Sequence, residues 1–510
     1  MALPPNVSQT DFNAAFTAWR QAVGAEWVFT SDEDVALYRD AYSAFYGEPE
    51  ERVASAAVAP ASLEQVQAVV RAANQHKIPL YTISTGRNLA YGGSAPAYSG
   101  SVVLDLKRLN RVLEVNERSA YALVEPGVSY FDLYDHITKA KLDVWIDPPD
   151  PGWGSLIGNA LDGGGGWTAS PFRDHFGAHC GMEVVLANGE VVRTGMGALP
   201  NSKSWQHNRW GYGPWVDGLF RQSNFAVVTK MGFYLMPRPE ALLMSTVTTQ
   251  RDEDIVPMLD VLNLLENQHQ VNGSTQIFGG SPRPGANGPA WTIQVPIYGP
   301  EMVVRAQTEY AKSRFAAIPG VRFAEGELLK TPLTQDQLAK VRQVNFGIPN
   351  LSTFQMLGRS PQNPEHPMGG HIGFSPIVPR VGESLLEFKR FYAENLPKVT
   401  AGENLGIAGP VYMTNWDRTL VCLIMFPITQ DKEHNAKIRK SFEAWVHLAA
   451  ARGWAEYRAP TVFQDLIAQT YSYNNHSLRR LRETIKDAVD PNGILSAGRY
   501  GVWPKHLRKA

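Results

Sequence analysis

Residues 63 to 95 constrain the fold more than any other stretch. "LEQVQAVVRAANQHKIPLYTI" reads as an amphipathic helix feeding a short strand, and the strand runs straight into "STGRNLAYGGSA". A helix that feeds a strand belongs to an α/β layer, and this strand ends in a loop holding Ser84, Thr85, Gly86, Arg87, Asn88, Gly92 and Gly93. Glycines let backbone N–H groups converge on an anion without Cβ obstruction, which makes a nest suited to a pyrophosphate. The same glycines also serve if they only shape a turn. The loop is neither GxGxxG nor a Walker loop, so the usual dinucleotide fingerprint and an NTPase are both unsupported.

A second glycine-rich stretch, "DPPDPGWGSLIGNALDGGGGWT", spans Asp147 to Thr168. Asp147 and Asp150 flank two prolines in a rigid, extended segment. Gly163 to Gly166 allow the backbone to approach a flat ligand closely. Asp150 therefore reads either as a fixed carboxylate beside a cofactor or, like Asp147, as an acid that caps a turn. A third feature is His371 in "HPMGGHIGFSP", after two glycines and before an apolar run that reads as a strand.

At 510 residues and 44% hydrophobic, the chain is too long for one core, so two or more domains are expected. Lys plus Arg (48) nearly balance Asp plus Glu (49), and no basic run marks a polyanion site. Nucleic acid and anionic membrane are thus disfavoured as partners, and a small molecule is expected. Cys180 and Cys422 are too few for a disulfide framework or a thiolate metal site, and no metal is expected. No secretory signal or membrane-spanning run is read, which makes the cytoplasm the default location.

Strand-like runs separated by polar turns fill residues 100 to 128, and "HCGMEVVLANGEVVRTG" reads as a hairpin turning at Asn188-Gly189. Two prolines near residue 240 end this pattern. Strand-like "ALLMSTVTT" and "AWTIQVPIYG" then alternate with helix-like "EMVVRAQTEYAKSRFAAI". The tail is a helix stopped at Asp490-Pro491-Asn492-Gly493, followed by a short extended segment.

The order of these pieces resembles one family. "TISTGRNLAYGGSAP", "VLDLKRLNRVLEVN", "YALVEPGVSYFDLY", "CGMEVVLANGEVVRTGMGALP", "QSNFAVVTKMGFYLMPRP", "GGHIGFSP", "AEYR" and "DPNGILSAGRYGVW" are similar to the vanillyl-alcohol oxidase and 4-cresol dehydrogenase branch of FAD-linked oxidoreductases, with eugenol oxidase a close relative. The resemblance covers nearly all of the chain from about residue 50. It implies an α+β, two-domain FAD-linked oxidase fold, in which a cap with an antiparallel sheet and flanking helices covers the flavin. The expected division is an FAD-binding domain over residues 1–240, a substrate or cap domain over 241–454, and a segment at 455–510 returning to the first domain.

By the same resemblance, His371 stands where the family bonds a histidine to the flavin's methyl carbon. A lone histidine would otherwise read as structural. Tyr457 and Arg458, with Tyr91, match the trio that grips a phenol oxygen: a guanidinium and two phenolic hydroxyls stabilise phenolate charge and help electrons flow toward the para side chain. Asp150 matches the acid beside the flavin N5 and the reacting carbon, where it can take a proton from attacking water. Ser84, Thr85, Gly86, Arg87, Asn88, Gly92, Gly93, Pro149, Gly154, Ser155, Asn159 and Arg499 match cofactor-binding positions.

The chain also departs from the family. "LDRGVGYTPYGDHF" becomes "LDGGGGWTASPFRDHFG", placing Gly163 and Trp167 where an Arg and a Tyr stand, and the "REMHH" segment becomes "TNWDRTL", expected to rebuild the polar cluster beside the substrate from Asn415, Trp416 and Asp417. The activity implied is oxidation of para-substituted phenols by hydride transfer to FAD through a quinone methide, with dioxygen as acceptor and hydrogen peroxide as product. Two alternatives stay open: a dehydrogenase passing electrons to a cytochrome c, and a flavin-binding homologue that no longer turns over. The family often forms dimers, so a homodimer or larger homo-oligomer is expected.

Overall fold

Three parallel strands carry the first glycine-rich loop. In the computed structural model, which describes residues 3–40, 42–88, 90–279, 288–352 and 370–508, strands Ala56–Val58, Val102–Asp105 and Leu80–Ile83 lie side by side in that order. Short Val28–Phe29 is antiparallel at one edge. Ala56–Val58 and Val102–Asp105 are buried at every position, as expected of strands covered on both faces. Helix Leu63–His76 starts where Ser62 accepts from Gln65 N and ends where Lys77 turns left-handed. Its buried valines pack with Phe12, Phe16 and Trp19 of helix Gln9–Val23 into one core. Each such side chain contributes about 1.5–3 kcal/mol on burial.

A five-stranded antiparallel sheet follows, in the order Val112–Asn116, Tyr121–Val124, Val227–Tyr234, His179–Val185, Val191–Arg193. Its last two strands form the hairpin read from the sequence, but the turn is wider than a two-residue one. Val185 pairs with Val191, Leu186 N donates to Glu190 O at 2.9 Å, and Gly189 takes the positive φ (80°).

Between residues 241 and 428 a nine-stranded antiparallel sheet forms the largest layer. Helices Ile255–Asn267, Glu301–Ala316, Gly382–Val399 and Lys432–Ala451 flank it, and their buried residues share one core with it. Strand period fixes what it shows on its other face. In Gly370–Phe374, Ile372 and Phe374 enter the core, so His371 and Gly373 point the opposite way, as does Ser375 just beyond. In the paired strand Thr419–Ile428, Cys422, Ile424 and Phe426 are buried in the core while Val421, Leu423 and Met425 face out.

Helix Tyr473–Val489 stops at Asp490, whose buried carboxylate accepts from Lys486 Nζ (2.7 Å), Ile494 N (3.0 Å) and Leu495 N (2.8 Å). This clamp turns the chain back beside Leu80, which donates to Ile494 O at 2.7 Å and accepts from Ser496 N at 2.8 Å. Ser496 and Arg499 thereby reach the end of the strand from which the loop 84–95 departs.

Candidate active site

The C-terminal end of Leu80–Ile83 and the outward face of the large sheet enclose a cavity of about 540 Å3. Its wall includes Asp150, Tyr91, Tyr457, Arg458 and His371. It also includes Ser84, Thr85, Gly86, Arg87, Asn88, Gly93, Pro149, Gly154, Ser155, Asn159 and Arg499. Of the catalytic and cofactor-binding positions matched from the sequence, Gly92 alone is not on the wall. A Cβ there would lie 2.7 Å from Thr461 Cγ2 at φ 122°, so the residue is glycine for packing. Gly369 and the part of the His371 motif before it lie outside the described residues.

Asp147 and Asp150 of the second glycine-rich stretch divide their work. Asp147 does cap a turn: its Oδ1 accepts from Trp167 N (3.0 Å) and Thr168 N (2.6 Å), and its Oδ2 lies 3.1 Å from His175 Nε2. Asp150 is on the cavity wall, where Ser352 Oγ donates to Oδ2 at 2.7 Å.

The loop fits a pyrophosphate on its own geometry. Among the described residues, the N–H groups of Thr85, Gly86, Arg87 and Asn88 donate to no acceptor, and all four residues line the cavity. Orphaned consecutive amides at a cavity wall are an anion nest. The glycines around them hold the close approach: a Cβ on Gly86 would fall on Ser94 Oγ, one on Gly158 on Ser84 Oγ, while Gly154 faces open space.

Asp162, which sequence reasoning missed, ties the two halves of the cavity together. Its Oδ2 accepts from Arg458 Nε (2.7 Å) and Asn88 Nδ2 (2.8 Å); its Oδ1 accepts from Arg499 (2.7 Å) and the Tyr500 hydroxyl (2.6 Å). Burial alone would raise its pKa, but Arg458 and Arg499 outweigh that and hold the carboxyl below its usual range. Burial likewise penalises the Arg458 cation, and Asp162 with the surrounding tyrosines more than offsets it. The guanidinium stacks 4.1 Å from the Tyr91 ring, and Tyr91 Oη lies 3.1 Å from Ser375 Oγ. Burial pushes the Tyr91 and Tyr457 phenols up, so both are neutral donors near neutral pH.

Behind this trio Glu456 is also buried. Its Oε1 accepts from Ser375 N at 2.7 Å, and burial raises its pKa well above the carboxylate range, so it is a neutral acid. The rebuilt segment behaves differently from expectation. Trp416 packs edge-on to Tyr457 at 5.1 Å and Asp417 is taken up by Arg173 (2.7 Å) and Ser170 Oγ (2.9 Å); neither is on the cavity wall. Only the backbone of Asn415 is described. Two signals for the missed residues were present: Asp162 directly precedes the four glycines, and Glu456 directly precedes Tyr457-Arg458.

Comparison with known proteins decides the family. The FAD binding domain family matches residues 54–195, which hold the loop, Asp147, Asp150 and Asp162. The 4-cresol dehydrogenase [hydroxylating] flavoprotein subunit of Pseudomonas putida is 34% identical over 98% of this chain and 97% of its own. The chain belongs to the vanillyl-alcohol oxidase and 4-cresol dehydrogenase family. Solved members of the family superpose along their whole length. A 4-ethylphenol oxidase from Gulosibacter chungangensis, in complex with isoeugenol, gives a TM-score of 0.87 at 33% identity, covering 99% of this chain and 100% of that one. A p-cresol methylhydroxylase with substrate bound gives 0.85 at 31%, covering 99% of each. The α+β, two-domain FAD-linked oxidase fold expected from the sequence is therefore the fold of this chain, and the protein is an FAD-linked oxidoreductase.

Proposed function

We propose that this protein oxidises para-substituted phenols, such as 4-alkylphenols, 4-allylphenols or 4-hydroxybenzylic alcohols, with FAD linked covalently through His371 and dioxygen as the electron acceptor, reduced to hydrogen peroxide. The observation that carries it is the convergence of Tyr91, Tyr457 and Arg458 with Asp150 and His371 on one cavity. Bound FAD supplies the acceptor for the hydride that leaves the benzylic carbon, converting the substrate to a quinone methide. Tyr91, Tyr457 and Arg458 hold the phenol oxygen as an oxyanion. Asp150 takes the proton of the water that attacks the benzylic carbon. Thr85 to Asn88 would offer their amides to the pyrophosphate, and His371 would hold the flavin ring.

The division into residues 1–240, 241–454 and 455–510 is part of the same proposal, supported by the large sheet lying wholly within 241–428. So is a homodimer or larger homo-oligomer as the working assembly. A second reading, in which electrons pass to a cytochrome c, is supported by the relative from P. putida, whose name makes it one subunit of a larger enzyme.

Acid precipitation tests the cofactor claim: a yellow pellet that His371→Ala turns white supports the link, and a white pellet under a yellow supernatant refutes it. Peroxide release with 4-alkylphenols in air tests the acceptor, and its absence alongside reduction of an added dye favours the second reading. Tyr457→Phe and Arg458→Ala must each lower phenol turnover; unchanged rates would refute the phenolate grip.

A further inference from the structure

The cavity wall carries a second guanidinium that the phenolate grip does not use. Arg342 stacks on the Trp167 ring at 3.6 Å, and its one side-chain hydrogen bond among the described residues runs to Gln276 Oε1 at 3.2 Å. No carboxylate among the described residues pairs with it. Burial lowers its pKa from the usual arginine value, the charge of nearby Asp150 opposing. A partly desolvated guanidinium with N–H groups left over, on a wall it shares with Asp150, Met413 and Phe278, can take a forked contact from an anion.

Its place follows from the chain. The segment leading from Arg342 runs along the Asp150 turn, with Gly152 N donating to Asn350 O at 2.8 Å and Ser352 bonded to Asp150. Gln276 pairs with Met413 in the large sheet, while Trp416, farther along the same strand, touches Tyr457. Arg342 and Arg458 both line the cavity.

We propose that Arg342, seated on Trp167 beside Gln276, binds a carboxylate at the end of the substrate's para side chain, so that the preferred substrates are 4-hydroxyphenyl compounds with a short acid chain. This rests on the phenol-oxidising reading above. One cation then meets each end of the ligand: Arg458 the phenolate, Arg342 the carboxylate. Trp167, which stands where the family has a tyrosine, supplies the broad face that holds the guanidinium flat for a forked contact.

The test compares 3-(4-hydroxyphenyl)propanoate with 4-propylphenol on the holoenzyme and on Arg342→Met. Dissociation constants come from calorimetry on oxygen-free, dithionite-reduced protein, where neither compound turns over. In the wild type the acid binds at least as tightly as the neutral phenol. Arg342→Met shifts the ratio of the two constants against the acid by tenfold or more, and Arg342→Lys, which keeps the charge without the fork, recovers part of the loss. A smaller shift, or a wild type that prefers the neutral phenol, overturns the proposal. Oxidation of 4-propylphenol, measured separately with a dye acceptor, shows whether the phenol-oxidising reading stands regardless.

Discussion

Replacing Asp162 by asparagine tests how the site is held together, because that one carboxylate accepts four hydrogen bonds and balances two buried guanidiniums. The introduced amide must turn its NH2 toward one pair of partners. On the Oδ2 side Arg458 Nε and Asn88 Nδ2 are both donors, and Asn88 cannot flip because its Oδ1 accepts from Arg458 at 2.5 Å. The NH2 therefore faces Tyr500 and Arg499. The Tyr500 hydroxyl can rotate to accept, but Arg499 loses its ion-pair partner, keeping its bond to the Tyr81 hydroxyl, and stays charged. A lost charge-assisted bond is worth about 1.5–3 kcal/mol, and breaking a buried ion pair from one side about 3–5 kcal/mol. With about 2.1 cal/mol/K of unfolding entropy per residue, a cooperative melt of a chain this long falls by about 3–5 °C. Removing the acid also frees Arg458 for a bound phenolate, so a phenolic ligand should ionise in the site at lower pH than in the wild type. Differential scanning fluorimetry reads the first effect and ultraviolet difference spectra of a bound phenol the second. A melting point within about 1 °C of wild type, or a bound phenol whose ionisation moves to higher pH, refutes the idea that Asp162 clamps both arginines.

Three further outcomes are expected. Asp40 is buried, with Oδ1 accepting from Tyr42 N at 2.9 Å, and burial pushes its pKa up to about 6. Because the folded state holds that proton more tightly than the unfolded one, stability is full below about pH 4 and falls as pH rises through 6, by about 3 kcal/mol. Asp40→Asn should therefore match wild type at pH 4 and melt higher at pH 8; equal melting points at both pH values contradict it. Glu456→Gln should leave phenol affinity near neutral pH within about twofold, since the native side chain is already neutral and Ser375 N keeps its acceptor; a large gain in affinity would mean that the glutamate is ionised. Gly373→Ala puts a Cβ 2.8 Å from Tyr91 Oη and should weaken phenol binding about tenfold, read by inhibition kinetics, with little loss of stability.

What the sequence made legible was whatever depends on local order. The helix and strand at residues 63–83, the loop that follows them and the strand after the His371 glycines are set by periods of 3.6 and 2 and by glycine placement, all visible in one dimension. What stayed hidden depends on side chains meeting from distant segments. Nothing near Asp417 announces that Arg173, 244 residues earlier, will claim it and draw it off the cavity wall. Arg342 sits in an ordinary helical-looking stretch, "AKVRQVNFG", and becomes notable only when folding sets it on Trp167.

The two departures from the family bear on each other through that contact. The arginine missing at Gly163 leaves space that Arg221 fills, its NH2 2.6 Å from where a Cβ would stand. The tyrosine replaced by Trp167 gives up a hydroxyl and gains a larger face, and on that face the Arg342 guanidinium rests. Arg221 and Arg342 thus both stand beside the second glycine stretch. On the proposed reading, a cation on the wall that Asp150 shares selects what the para side chain carries, apart from the trio proposed to grip the ring oxygen. Selection among phenols and activation of the phenol then fall to separate arginines, Arg342 and Arg458, each of which can be mutated alone.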